Sequence, residues 1–81
     1  MKYEEQVRKT LCVALENPEC MTADDRCDLA QHGLDSLNCM GLVIALEEIF
    51  DIEIPEDMLG MQFVRNIYDI CKLLEEVTNN V

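Results

Sequence analysis

The sequence has no tryptophan, two phenylalanines and two tyrosines, and it is sparing with three glycines and two prolines. Without large aromatics a core must be built from Leu, Ile, Val, Met and Ala, a set that suits helices packed on helices. So few turn-forming residues argue against a β-sandwich and against a disordered tail. Basic residues are scarce as well: six Lys and Arg stand against seventeen Asp and Glu, for a net charge of −11. That balance argues against nucleic acid and against anionic membrane surfaces as partners, because both are held chiefly by Lys and Arg on phosphate. It is compatible with basic partner proteins and equally with plain solubility. There is no signal peptide and no apolar run long enough to span a bilayer, so a cytoplasmic protein without a membrane partner is expected. The single histidine, His32, has no C-x-x-C pair to join it, which leaves a structural zinc site without ligands. The acidic loop of a calcium-binding hand is absent too.

What is present is apolar and short. Eighty-one residues, 49% of them hydrophobic, allow one domain, residues 1–81, with a small core expected to be only marginally stable. Cysteine is the exception to the scarcity. Cys12, Cys20, Cys27, Cys39 and Cys71 are an odd number, read as reduced thiols, and Cys12, Cys39 and Cys71 fall on apolar helical stripes as small core residues.

Between Tyr3 and Glu16, Val7, Leu11, Ala14 and Leu15 recur on one face of an amphipathic helix. Asn17-Pro18 ends it, since proline disfavours helix in the residue before it. No period is sustained from Pro18 to Leu34, a long loop for which Met21 and Leu29 are the expected anchors. A second helix is predicted from Ser36 to Phe50, with Asp35 as N-cap. Cys39, Val43, Leu46 and Phe50 form its core stripe, Leu42 and Ile49 widen it, and Leu37, Met40 and Ile44 lie on another side. A helix apolar over so much of its circumference suits a central one packed on more than one face. Asp51 to Pro55 reads as an extended connector, Glu56 to Leu59 as a short turn before Gly60. Phe63, Ile67, Ile70, Leu74 and Val77 make the stripe of a last helix that Asn79-Asn80 ends. The fold class expected is all-α: three main helices with one short helix before the last.

One segment carries chemistry. In His32-Gly33-Leu34-Asp35-Ser36-Leu37, Ser36 follows an N-cap aspartate and takes the first helical position, where a phosphate ester would meet unsatisfied N–H groups and the positive end of the helix dipole. Helix starts with Asp and Ser are common, so for the pentapeptide taken alone a plain capping serine is the better explanation. A hydrolytic Ser36–His32 pair does not follow, because no G-x-S-x-G elbow is present and no oxyanion hole is implied; no catalytic residue is expected.

The longer pattern is more specific. Gly33-Leu34-Asp35-Ser36-Leu37, followed by Leu42 through Pro55, resembles the acyl carrier protein family, peptidyl carriers included, and a weaker likeness runs through the first helix and Val64-Arg65-Asn66-Ile67. The resemblance implies a four-helix bundle that is a carrier and not an enzyme. It implies that Ser36, flanked by Asp35 and Leu37, receives 4′-phosphopantetheine from coenzyme A through a phosphopantetheinyl transferase. The arm's thiol would then hold acyl or aminoacyl groups as thioesters for loading ligases, synthases and transferases. It also implies a docking face at Leu37, Met40, Ile44, Glu47 and Glu48 on a monomer; spacing alone favours packing of these residues against the long loop or the short helix. Three departures are evident. Asn38 and Gly41 stand where fatty-acid carriers usually have acidic residues, His32 where the family has an aliphatic or aromatic one, and Glu56 to Phe63 is slightly short. These shift the expectation from a housekeeping fatty-acid carrier toward a specialised natural-product or cell-wall pathway; the alternative of another class is an acidic helical interaction module that carries no prosthetic group.

Overall fold

A computed structural model describes residues 3–79. The order of elements is α1 (Glu4–Ala14), α2 (Ser36–Phe50) and α3 (Ile67–Asn79), with single 3-10 turns at Pro18–Met21, Leu29–His32, Glu56–Met58 and Met61–Phe63. No strand occurs among the described residues. The expected all-α bundle is therefore present, and the short helix before the last is realised as two 3-10 turns.

The core is mainly aliphatic, with three cysteines among its buried residues. Val7 and Leu11 of α1, Cys39, Leu42, Val43 and Leu46 of α2, and Ile67, Ile70, Cys71, Leu73, Leu74 and Val77 of α3 are buried together. Each fully buried Leu or Ile contributes about 1.5–3 kcal/mol relative to exposure. Tyr3 meets Phe50 edge to face at 5.1 Å, joining the start of α1 to the end of α2. Along α1, Glu4 pairs with the largely buried Arg8 and, on the outer face, Glu5 pairs with Lys9, both at 3.2 Å across one helical turn.

The long loop is held differently from the expectation. Leu29 is buried, but Met21 is exposed and its neighbour Cys20 takes the inside place. The reason is the 3-10 turn at Pro18–Met21, whose tighter winding rotates Cys20 rather than Met21 inward. Arg8 completes the anchorage: its Nη1 donates to the carbonyls of Cys20 at 3.0 Å and Ala23 at 2.7 Å. The far part of the loop is tied to the segment entering α3 by Leu29 N to Arg65 O at 2.8 Å and to its first turn by Tyr68 N to Asp25 O at 3.0 Å. The Arg26 guanidinium lies 3.9 Å from the centre of the Tyr68 ring, adding a cation–π contact to the same seam.

Two helix boundaries differ from the periodic reading. Phe63 is half-buried but lies in a 3-10 turn, because Asn66 caps α3: its Oδ1 accepts from Asp69 N at 2.7 Å, so the helix starts after it. At the other end α3 runs to Asn79, and Asn80 lies outside the described residues. Of the cysteines placed on stripes, Cys39 and Cys71 are buried, whereas Cys12 is half-buried at the edge of α1.

Candidate functional site

The mouth of α2 is built by the four residues before it and the first turn after it. Gly33 closes the Leu29–His32 turn with φ 106°, a left-handed conformation that side chains disfavour. Leu34 then buries itself, so that Asp35 and Ser36 stand outside. Asp35 is extended, and its Oδ1 accepts from Leu37 N and Asn38 N, both at 2.9 Å. Asn38 answers: its Oδ1 accepts from Asp35 N at 2.7 Å, which makes a full capping box. Its amide Nδ2 also donates to Gly33 O at 2.6 Å. The hydroxyl of Ser36 is thus presented, exposed, on a helix start locked from both sides.

One expectation about this mouth is corrected. The N–H groups of Leu37 and Asn38 are not free for a phosphate, because the Asp35 carboxylate already occupies them. That carboxylate also offsets the positive end of the helix dipole. The site presents an accessible hydroxyl; it is not an anion cradle.

Of the residues marked by their spacing, Leu37 (87% exposed), Met40 (53%) and Ile44 (50%) lie together on the outer face of α2. Ile49, placed in the core by its spacing, is 52% exposed, so α2 buries a single stripe and is not packed on several faces. The bundle has only two other long helices to cover it, and they take one side. Glu48 is exposed beside this apolar surface. Glu47 is half-buried and partly engaged within the fold, its Oε2 accepting from Ile54 N at 2.9 Å. His32 is withdrawn: its Nδ1 lies 3.8 Å from Glu19 Oε2, and its carbonyl accepts from Asn17 Nδ2 at 3.2 Å. No hydrogen bond joins it to Ser36 among the described residues.

The capping role of Asn38 escaped the sequence reading, although Asp-Ser-Leu-Asn has the spacing of a capping box and was the signal for it. Arg8 also escaped, since a basic residue on an amphipathic helix gives no sign of reaching across to a loop. No cluster of His, Cys, Asp or Glu suited to a metal ion occurs among the described residues, and no described helix is long and apolar enough to cross a membrane.

Comparison with known proteins supplies the rest. A family model described as the phosphopantetheine attachment site matches residues 5–74. An acyl carrier protein of Caulobacter vibrioides is 37% identical over 75 residues, 91% of this chain and 92% of that protein. One of Phenylobacterium zucineum is 37% identical over 73 residues, 89% of each chain. Another, of Syntrophobacter fumaroxidans, is 45% identical over 53 residues, which cover 64% of this chain and 58% of that protein. No solved structure matches with significant similarity. With its helical bundle and its exposed serine at a fixed helix start, the chain belongs to the acyl carrier protein family, non-enzymatic carriers whose cofactor is covalently attached 4′-phosphopantetheine.

Proposed function

We propose that Ser36 is the attachment point of the 4′-phosphopantetheine arm and that the chain carries acyl or aminoacyl intermediates in a specialised pathway. The observation that carries the first half is the presentation of Ser36, with its hydroxyl exposed at the first position of α2 between Asp35 and Leu37. Asp35 acts as a brace: its carboxylate fixes the helix start and so fixes where the serine oxygen stands. Leu37, almost fully exposed beside it, is available to a transferase that must grip the protein next to the acceptor hydroxyl. The arm supplies a terminal thiol, on which the cargo is held as a thioester.

Leu37, Met40, Ile44 and Glu48 form the docking face for the transferase, the loading ligase and the synthases that use the cargo. An apolar stripe next to a carboxylate, on a chain of net charge −11, suits transient contact with basic partners. Glu47 contributes mainly by holding the connector after α2, since one of its oxygens is already taken. A monomer working in the cytoplasm is the simplest setting for such a carrier.

Support for a specialised pathway comes from Asn38 and Gly41, which replace acidic residues of the fatty-acid carriers on the helix where partners are chosen. The names of the relatives, all acyl carrier proteins, favour a second reading in which the pathway is fatty-acid synthesis. Intact mass after incubation with coenzyme A, Mg²⁺ and a broad-specificity transferase tests the attachment. One arm is expected on the native chain and none on Ser36→Ala; an arm on the variant sinks the assignment. Loading of the product by an adenylating ligase but not by a malonyl transferase supports the specialised reading, and the reverse supports fatty-acid synthesis.

A further inference from the structure

A groove of about 430 Å³ runs between α1 and α2, with Val13 and Ala14 on one wall and Asn38, Gly41, Ala45 and Ile49 on the other. Thr10 and Leu42, both buried, also line it, and three of its wall residues, Ala14, Gly41 and Ala45, are small. A Cβ built on Gly41 would meet nothing within 4 Å, so the space above it is open. Its rims are large and apolar: Val13 of α1 is 80% exposed and Ile49 of α2 is 52% exposed. Asn38 and Gly41, the two positions that depart from the fatty-acid carriers, are thereby brought together on one wall of one apolar groove. Gly41 is also four residues after Leu37 and three before Ile44, so the groove passes without a break into the exposed stripe of α2.

We propose that this groove receives an amphipathic helix of a partner protein, which sets a large apolar side chain over Gly41 and basic side chains beside Glu48. The proposal rests on the docking-face reading above and extends that face from α2 onto α1. Two helical walls that carry the small residues Ala14, Gly41 and Ala45 let a third helix come near the short end of the usual 8–10 Å axial separation, about 8 Å. Anchors at helical spacing are the ordinary way such a groove is filled. Charge selects the partner. Lys9 at the rim is already paired with Glu5 at 3.2 Å, Glu48 is exposed, and the chain carries a net −11. A second copy with the same charge is repelled. An acyl chain tethered at Ser36 is poorly placed, because Ala45 is nine residues further on, about two and a half turns at ~3.6 residues per turn, and so lies on the opposite side of α2.

The test uses the arm-bearing protein and a stapled helical peptide with a Lys face and a Leu face carrying one central Phe, at physiological salt. A matched peptide with that Phe replaced by Ala has the same charge. The native protein is expected to bind the Phe peptide roughly tenfold tighter than the Ala peptide, with amide shifts at Val13, Gly41, Ala45 and Ile49. Gly41→Leu fills the groove from an open helical position, and Val13→Asp charges its other wall at an exposed one. Both are expected to keep the helical circular dichroism and to lose the preference for Phe. A preference that survives in both variants overturns the proposal, as do shifts confined to Leu37, Met40 and Ile44. Sedimentation showing that a second copy fills the groove also overturns it, as does a loaded acyl chain that shifts the groove amides without peptide. Intact mass on the same samples keeps the two readings apart. An unmodified Ser36 removes the carrier assignment and leaves the peptide result standing, whereas a lost Phe preference removes the groove assignment from an intact carrier.

Discussion

Asp35 and Asn38 hold each other across the first turn of α2: Asp35 Oδ1 accepts from Asn38 N at 2.9 Å, and Asn38 Oδ1 accepts from Asp35 N at 2.7 Å. Ser36 and Leu37 are the two residues enclosed by that exchange. The position of the exposed hydroxyl is therefore set by a reciprocal pair of hydrogen bonds, between the buried side chains of Leu34 and Cys39.

Asp35→Ala removes the acceptor for two backbone donors and is expected to lower stability by about 1 kcal/mol, a fall of about 4–8 °C in Tm for a domain of this size. Asn38→Ala leaves Asp35 N and Gly33 O without their side-chain partner and is expected to cost about as much. Because the bonds are reciprocal, the double variant should lose less than the sum, by about 0.5 kcal/mol or more. Urea titrations of the four proteins measure the coupling, and strict additivity would show that the two caps act independently.

The glycines of this region should respond in opposite directions to the same change. Gly33→Ala puts a side chain at φ 106° and is expected to destabilise by about 1–2 kcal/mol. Gly41→Ala places a methyl group in open space on a regular helix and should stabilise by about 0.5–1 kcal/mol. Thermal unfolding of both variants reads the signs directly.

Glu47 offers a separation of structural from recognition roles. Ile54 is buried and its N–H depends on Glu47 Oε2 at 2.9 Å. Glu47→Ala is expected to cost about 1–3 kcal/mol through that orphaned donor, whereas Glu47→Gln keeps an acceptor and should cost well under half as much. If transferase kinetics change more in Glu47→Gln than stability does, recognition is the larger part of its role.

Alkaline pH should act through Cys71. Burial pushes its thiol from 9.0 up to about 11, so above pH 9 the unfolded chain loses this proton before the folded one does. The neutral thiol's contribution is intact below pH 9 and is lost as pH rises toward 11, a loss on the order of 2 kcal/mol. Cys71→Ala removes the linkage, and its stability should fall less steeply between pH 8 and 11. Equal slopes in urea titrations across that range would rule the effect out.

Much of this architecture was legible in the chain. The Ser36–Phe50 limits of α2 followed from Asp35 as a cap and from the apolar stripe that ends at Phe50, and the connector through Pro55 followed from the lack of a partner segment for an alternation that would otherwise read as a strand. Cys20 in place of Met21, and Phe63 ahead of α3 instead of within it, were not legible, because a 3-10 turn changes which side chain faces inward without changing composition. Ile49 was misplaced for another reason. Periodicity identifies apolar faces but not how many neighbours exist to cover them.

By itself, then, the sequence determined the three helices, the Asp35 cap of α2 and the serine, since each depends on residues within a turn or two of one another. Only the tertiary structure decided which apolar side chains of α2 stay outside, that Cys20 and Arg8 rather than Met21 help secure the long loop, and that Asn38 and Gly41 meet α1 across one groove. Those are relations between segments far apart in the chain. They are settled by the geometry of packing three helices around one small core, which no local pattern encodes.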